Sequence, residues 1–471
     1  VENRAVMMQE SSLRKDLPPR FTVSQRSAVN PGRLLALGYI AMIAVGTGLL
    51  SLPFASHGCS VIDALFTASS ATCVTGLIVK VTPYDFTLFG QIVILILFQI
   101  GGLGYMTLSS AFFFLLGRKT SLRQRMLMKE SINFLNYRNL SHFAFTIFKV
   151  TIMVESIGAL ILVGWFRFMH GMGWGQSIYN GVFHAISAFC NAGFSTFPDN
   201  LSRFSQDPVV GLLIPALFIT GGVGFIVISD VAKRIKRETL RLATHTRLVL
   251  TVTATLIIAG TLFVLISEWN GALGSYPLHV KLLNAFFTAV TPRTAGFNLV
   301  SIRGLRTYTL LVLMLFMFIG ASPGGTGGGI KTTSFALAFT EIGRVLRRRR
   351  EVVMLRRTIK PEHVHRATSL VILGGFVVLT STLLLVIFRR GDDVMRCAFE
   401  AFSAFGTVGI STGSAESPYL SFAADLGVWG KLVLILTMFF GRIGTLTIGS
   451  ALMKGARASR IRPAQTNIVV G

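Results

Sequence analysis

Apolar runs long enough to cross a hydrocarbon core of about 30 Å, which takes about 20 helical residues, recur through most of this 471-residue chain. Eight of them begin near Leu34, Phe89, Phe143, Val210, Leu248, Tyr308, Ser369 and Leu426. Backbone surrounded by lipid must satisfy its own hydrogen bonds, so segments of this kind fold as helices. Composition agrees: 52% of the residues are hydrophobic and 14% charged, and mean hydropathy is +0.64, outside the usual balance of soluble domains. The chain reads as an all-α polytopic membrane protein. Residues 1–33, mostly polar, are followed by no signal-type cleavage site, so no removable targeting segment is expected.

A net charge of +25 on a soluble protein would suggest nucleic acid. Its placement here says otherwise. Of the 45 Lys and Arg residues, 32 fall in five stretches: 6 in residues 1–33, 7 from Arg118 to Lys149, 6 from Lys233 to Arg247, 9 from Arg344 to Arg366 and 4 from Lys454 to Arg462. Each stretch follows an even number of apolar runs, so the positive-inside rule puts all five, and both termini, on the cytoplasmic side. The run Arg347 to Arg350 then reads as an anchor beside anionic membrane lipid, with no nucleic-acid partner. The four cysteines, Cys59, Cys73, Cys190 and Cys397, show neither metal-ligand spacing nor a paired framework.

The runs fall into pairs, and within each pair lies a shorter segment of about a dozen residues, too short to cross alone. These segments read DALFTASSATCVTGL (63–77), NGVFHAISAFCNAGF (180–194), LNAFFTAVTPRTAGF (283–297) and RCAFEAFSAFGTVGI (396–410). Aligned without gaps on Gly76, Gly193, Gly296 and Gly409, they carry Phe66, Phe183, Phe286 and Phe399 ten residues earlier. The glycines are separated by 117, 103 and 113 residues, so the chain is a fourfold tandem repeat. The units span 34–117, 118–235 with a basic linker, 236–345 and 346–455, between tails at 1–33 and 456–471. Each unit is expected to be a spanning helix, a re-entrant pore helix, a loop and a second spanning helix: eight spanning helices and four re-entrant ones. Irregular backbone at membrane depth must be buried in protein or line a watery path. Four such loops therefore predict a pseudo-fourfold central pore.

A selective path for potassium replaces the water around the ion with oxygens of fixed number and field, and backbone carbonyls on a fourfold axis do this. Thr407-Val408-Gly409 is close to the filter sequence of potassium channels. The candidate ion-binding residues are therefore Val74, Thr75 and Gly76, then Asn191, Ala192 and Gly193, then Thr294, Ala295 and Gly296, then Thr407, Val408 and Gly409. The residues just before the glycines are small or β-branched and are expected to pack behind the axis. Each pore helix would aim its negative C-terminal end at the loop, which favours cations. Glycine-rich breaks occur in the second helices at IGGLG (100–104), TGGVG (220–224), IGASPGG (319–325) and FGRIG (440–444), and the first two read equally as close helix packing or as pore lining.

Residues 322–333, SPGGTGGGIKTT, have the look of a phosphate loop, but Ile330 separates Gly329 from Lys331 and no strand precedes the glycines. No nucleotide site is expected on this chain. No HExxH or paired acid and base appears, so an enzyme is not expected. An alternating-access carrier built on broken helices is the nearer rival, and four parallel units favour a pore over it.

At these residues the chain resembles the Trk/Ktr/HKT superfamily of potassium transporters, most closely its Ktr-type membrane subunits. The resemblance covers residues 33 to about 455 and rests on the loop glycines, TPRTAGFN (291–298), GASPGGTGGGIKTT (320–333) and GRIGT (441–445). An extra N-terminal helix pair usual in bacterial Trk-type relatives is not seen, which favours the Ktr type. Gly76 stands where sodium-passing plant relatives have Ser, so the resemblance implies K+ as the permeant ion, with flux either channel-like or coupled to Na+. It also implies a homodimer in the bacterial cytoplasmic membrane, docked on a cytoplasmic ring of nucleotide-binding RCK subunits. Finally, it implies an intramembrane gate at Gly324, Gly325, Thr326, Gly327, Gly328 and Gly329.

Two cations belong to the same region. Arg442 aligns with Gly102 and Gly222, so its guanidinium is expected below the filter, where it narrows the path and raises a positive barrier. Lys331 either faces that cavity or snorkels to the surface. Glu155 is either the partner of a buried cation or a helix-packing contact. Asp63 reads as an acid at a helix N-terminus, and His184 and Glu400, which share a repeat position, as polar contacts behind the loops.

Overall fold

The computed structural model describes residues 31–104, 140–445 and 447. The basic stretches at residues 1–30, 118–139 and 454–462 lie outside them.

Each unit opens with a long apolar helix: α1 (Pro31–Leu50), α4 (Leu140–Phe168), α8 (Thr244–Ser267) and α12 (Pro361–Phe388). These contain the four helices among the described residues that are long and apolar enough to span by themselves. The short helices follow as α2 (Val61–Thr72), α5 (Trp174–Phe189), α9 (Leu278–Val290) and α13 (Val394–Gly406). The second long helix expected in each unit is shorter than a span: α3 (Leu88–Leu103), α6 (Pro208–Val223), α10 (Thr307–Phe318) and α14 (Val428–Ile443) have 16, 16, 12 and 16 residues. The expected start positions hold to within a few residues, except that α12 begins at Pro361, eight residues ahead of Ser369.

Glycine explains the early stops. Gly104, Gly224 and Gly444 end α3, α6 and α14 with φ of 77°, 99° and 93°, a region that costs any residue with a Cβ. After Gly224 the chain turns by 101° into α7 (Phe225–Ile235). In the third unit the Gly-rich segment separates α10 from α11 (Thr332–Leu346). A two-stranded hairpin, β1 (Val353–Met354) with β2 (Arg357–Thr358), then leads into α12.

Buried side chains gather within each unit and continue into the next. One cluster joins Phe98 and Leu97 to Phe183 and Phe194. A second joins Phe166 and Phe218 to Phe287 and Phe297, and a third joins Leu313 and Met317 to Phe399 and Val408. A fourth closes the circle, joining Phe66 and Leu77 to Phe422 and Met438. Hydrogen bonds close the same seam: Ile78 N donates to Ser421 Oγ at 2.9 Å and Ser421 N to Ile78 O at 3.0 Å.

Asp63 is more than a helix-terminal acid. Its Oδ2 accepts from the hydroxyl of Ser60, the N-cap of α2, at 2.8 Å, and its Oδ1 lies 2.7 Å from Lys431 Nζ on α14. This pair, with side chains 12% and 14% exposed, ties the first unit to the last. Asp63→Asn is expected to cost about 2 kcal/mol, below the figure for a fully buried pair, and to lower the thermal midpoint in detergent. Adding Lys431→Met should restore part of the loss, and additive losses would show that the two groups do not interact.

Candidate functional site

The four loops meet. A Cβ built on Gly76 would lie 2.5 Å from Ala192 O and 3.1 Å from Gly193 Cα. One on Gly193 would lie 3.0 Å from Ala295 O and 2.8 Å from Gly296 Cα, one on Gly296 would lie 2.6 Å from Val408 O, and one on Gly409 would strike Thr75 O. Each glycine thus faces the carbonyl that precedes the next one, and the sequence of neighbours returns to its start. Thr75, Ala192, Ala295 and Val408 are fully buried, each carbonyl oxygen standing against the glycine of the neighbouring loop. Only glycine permits this approach, since all four adopt φ between 71° and 93°.

The loops are built alike. Val74, Asn191, Thr294 and Thr407, two residues before each glycine, have φ of 57°, 61°, 68° and 51°. For β-branched Val and Thr this conformation costs about 1–3 kcal/mol each and survives only where the surroundings impose it. A hydroxyl near the end of each short helix supplies part of that constraint. Ser70 Oγ accepts from Gly76 N and Ser403 Oγ from Gly409 N, both at 3.1 Å. Ser187 Oγ donates to Phe194 O at 2.7 Å and Thr291 Oγ1 to Phe297 O at 2.5 Å.

The third unit departs from the gap-free alignment. Its fully buried phenylalanine is Phe287, nine residues before Gly296, while Phe286 is only partly buried. Its loop-bracing hydroxyl, Thr291, likewise stands five residues before the glycine rather than six. One residue has been lost between helix and loop, and the shared Phe position shifts accordingly.

The breaks in the second helices make close packing contacts and reach a cavity. A Cβ on Gly101, Gly221 or Gly441 would strike Thr72 O, Phe189 O or Phe405 O, so these glycines let α3, α6 and α14 seat against the ends of short helices. The next residue in two of these helices, Gly102 and Arg442, lines a cavity of about 170 Å³. Gly324, Gly327 and Lys331 line it too. A second cavity, of about 240 Å³, lies on the other side and touches Gly76, Gly193, Gly296 and Gly409.

Between the cavities runs the Gly-rich segment, pinned on three sides. Ser322 N and Thr326 N donate to Gly222 O and Gly221 O at 2.9 and 3.1 Å, Gly329 N donates to Gly441 O at 3.1 Å, and Phe225 N donates to Gly324 O at 3.0 Å. Thr326 Oγ1 donates to Asn191 Oδ1 at 2.8 Å, and Gly328 N to Thr407 Oγ1 at 3.0 Å. Gly327 has no room for a Cβ beside the Thr294 side chain. The segment therefore lies directly against the residues beneath the ring.

Arg442, which lines the first cavity, also makes bonds across it. Its guanidinium donates to Thr326 O in the segment, to Gly101 O, and to Gly102 O at 3.0 Å, with Tyr39 Oη 3.4 Å from Nε. It locks the segment to the first unit. No carboxylate among the described residues pairs with it, and carbonyl dipoles carry its desolvation. Lys331 faces the cavity, donating to Gly327 O at 2.7 Å.

Glu155, His184 and Glu400 are each engaged by neighbouring protein groups. Glu155 accepts from Gln99 Nε2 at 3.0 Å on both oxygens, the helix-packing alternative. His184 bonds Asn180 O and Ser195 Oγ at 2.8 and 2.9 Å, and Glu400 accepts from Ser411 Oγ and Ala423 N at 2.7 and 3.0 Å, both behind the loops. Tyr39, Gly101 and the four bracing hydroxyls were not singled out from the sequence. The aligned Ser70, Ser187 and Ser403 are the signal that points to the hydroxyls.

Comparison with known proteins gives a consistent result. The family model described as TrkH, cation transport protein, matches residues 35–454. The chain is 42% identical over 420 residues to Ktr system potassium uptake protein B of Bacillus subtilis (strain 168), covering 88% of this chain and 92% of that protein. It is 35% identical over 443 residues to potassium/sodium uptake protein NtpJ of Enterococcus hirae, covering 92% and 95%. The crystal structure of the potassium transporter TrkH from Vibrio parahaemolyticus shares the fold, with a TM-score of 0.70 at 20% identity over 92% of this chain and 86% of that one. The chain belongs to the TrkH family of cation transport proteins, and is an ion transporter rather than an enzyme.

Proposed function

We propose that this chain is the pore-forming subunit of a potassium uptake system and that its four glycine-centred loops are the selectivity filter. The observation that carries the reading is the closed ring in which each loop glycine faces the carbonyl of the next loop. Four inward carbonyls substitute for the hydration of a monovalent cation, and four short helices end at the ring with their negative poles toward it. The tandem units set the order of the ring, a parallel arrangement that favours a pore over an inverted-repeat carrier. Relatives named for potassium uptake, and one for potassium and sodium, support K+ as cargo and Na+ as co-requirement or second ion.

The segment Gly324 to Gly329 is the gate in this reading, with Arg442 as its clamp and Lys331 beside it. Its support is position: it bonds Asn191 and Thr407, two residues before their loop glycines, and lines the lower cavity. The basic end, holding Arg344 to Arg366, faces the cytoplasm by the positive-inside rule. That end takes a ring of RCK subunits that brings nucleotide control from outside this chain, and two protomers form a homodimer, each with its own pore. Rubidium or potassium uptake in cells stripped of other uptake systems, with and without Na+, is the test. Expression is expected to restore uptake, and no uptake in either condition, with the cytoplasmic partner co-expressed, overturns the reading.

A further inference from the structure

The side-chain oxygens of Asn191, Thr294 and Thr407 are all in use. Asn191 Oδ1 takes the hydroxyl proton of Thr326, Thr407 Oγ1 takes the amide of Gly328, and Thr294 Oγ1 takes Asn191 Nδ2 at 3.0 Å. These three residues and Val74 occupy equivalent places, two before each glycine, in the same left-handed conformation and fully buried. Val74 supplies only methyl groups and packs against Gly101. Three sides of the path thus present an oxygen at one level, and the Gly-rich segment caps two of them with hydrogen-bond donors.

If the segment withdraws, Asn191 Oδ1 and Thr407 Oγ1 lose their donors inside a buried site. Orphaned buried acceptors are costly, and the cost is met by whatever next brings positive charge to them. A partly dehydrated monovalent cation leaving the ring arrives at that place. We propose that Asn191, Thr294 and Thr407 form an inner site for a monovalent cation, and that the closed Gly-rich segment occupies two of its three side-chain oxygens, those of Asn191 and Thr407, so that permeant cation and gate compete for shared ligands. The proposal rests on the reading of the four loops as a cation filter. The donors on the segment, a hydroxyl and an amide, imitate the cation's charge.

Competition has a definite sign. A ligand that binds only the open arrangement raises its population in proportion to one plus the ratio of ligand concentration to dissociation constant. Potassium and rubidium therefore favour opening of the segment, whereas N-methylglucamine, too large for the ring, does not.

The test is amide hydrogen exchange of residues 320–333 in the full chain in lipid nanodiscs, with K+ replaced by N-methylglucamine at constant ionic strength. Exchange at Gly328 is expected to quicken about tenfold when K+ exceeds the site's dissociation constant about tenfold. Thr407→Val, close in size, should raise exchange without K+, by removing the acceptor of Gly328 N, and flatten its K+ dependence, by removing a cation ligand. Equal wild-type exchange in the two cations, or slower exchange in K+, overturns the proposal. Rubidium uptake by the same preparation in liposomes separates two failures. Uptake with cation-independent exchange sinks the competition alone, and absence of uptake sinks the filter reading and the competition with it.

Discussion

Arg442→Ala is expected to raise K+ flux by about ten- to a hundredfold, the population shift that follows from losing a charge-assisted hydrogen bond of about 1.5–3 kcal/mol. Arg442 joins the Thr326 carbonyl of the Gly-rich segment to the carbonyls of Gly101 and Gly102, so its removal frees the segment from the first unit. Charge and clamp make separate contributions. Two unit charges about 4 Å apart repel by about 4 kcal/mol at an effective dielectric constant near 20, so a guanidinium in the path also opposes any cation passing it. Arg442→Lys separates the two, because an ammonium keeps the charge and loses the planar fork that spans three carbonyls. Flux between wild type and Arg442→Ala is expected for the lysine variant. Tracer uptake into liposomes measures all three, and an Arg442→Ala flux equal to wild type contradicts the clamp.

Gly76→Ser should reduce discrimination of K+ over Na+ by about tenfold, equivalent to about 1.4 kcal/mol. Gly76 has φ of 92°, and a Cβ there would sit 2.5 Å from the carbonyl oxygen of Ala192, one of the oxygens proposed to hold the ion. Serine must therefore push that carbonyl aside or shift its own backbone, and either change spoils the fixed spacing on which selectivity depends. The ring is continuous, so Gly409→Ser, which presses on Thr75 O, should act in the same direction. Parallel rubidium and sodium uptake by each variant provides the check, and preserved selectivity in both would mean that these carbonyls do not choose the ion.

Much of this geometry was legible in the sequence because it depends on features that repeat. Apolar length located the helices, and glycines in register with a phenylalanine located the loops. The third unit was misaligned by one residue because two phenylalanines, Phe286 and Phe287, stand side by side and a gap-free comparison takes the wrong one. Three second helices read as full spans stop after 16 residues, since hydropathy is blind to the positive φ that Gly104, Gly224 and Gly444 adopt. The role of Arg442 was half visible. Alignment with Gly102 and Gly222 placed it near the path, but its partners are backbone carbonyls, which leave no trace in residue identity. The same holds for the contacts of Asn191 and Thr407 with the Gly-rich segment, which join residues more than 75 positions apart.

The central claim is that four backbone carbonyls, from Thr75, Ala192, Ala295 and Val408, take the place of water around a single ion. Crystals of the full chain grown in rubidium, with anomalous diffraction collected at the rubidium edge, test it most directly. The account predicts anomalous density on the axis of the ring within coordinating reach of all four oxygens, weakened when Na+ replaces Rb+. A ring without anomalous density at saturating Rb+, in protein that still takes up Rb+ in liposomes, contradicts it.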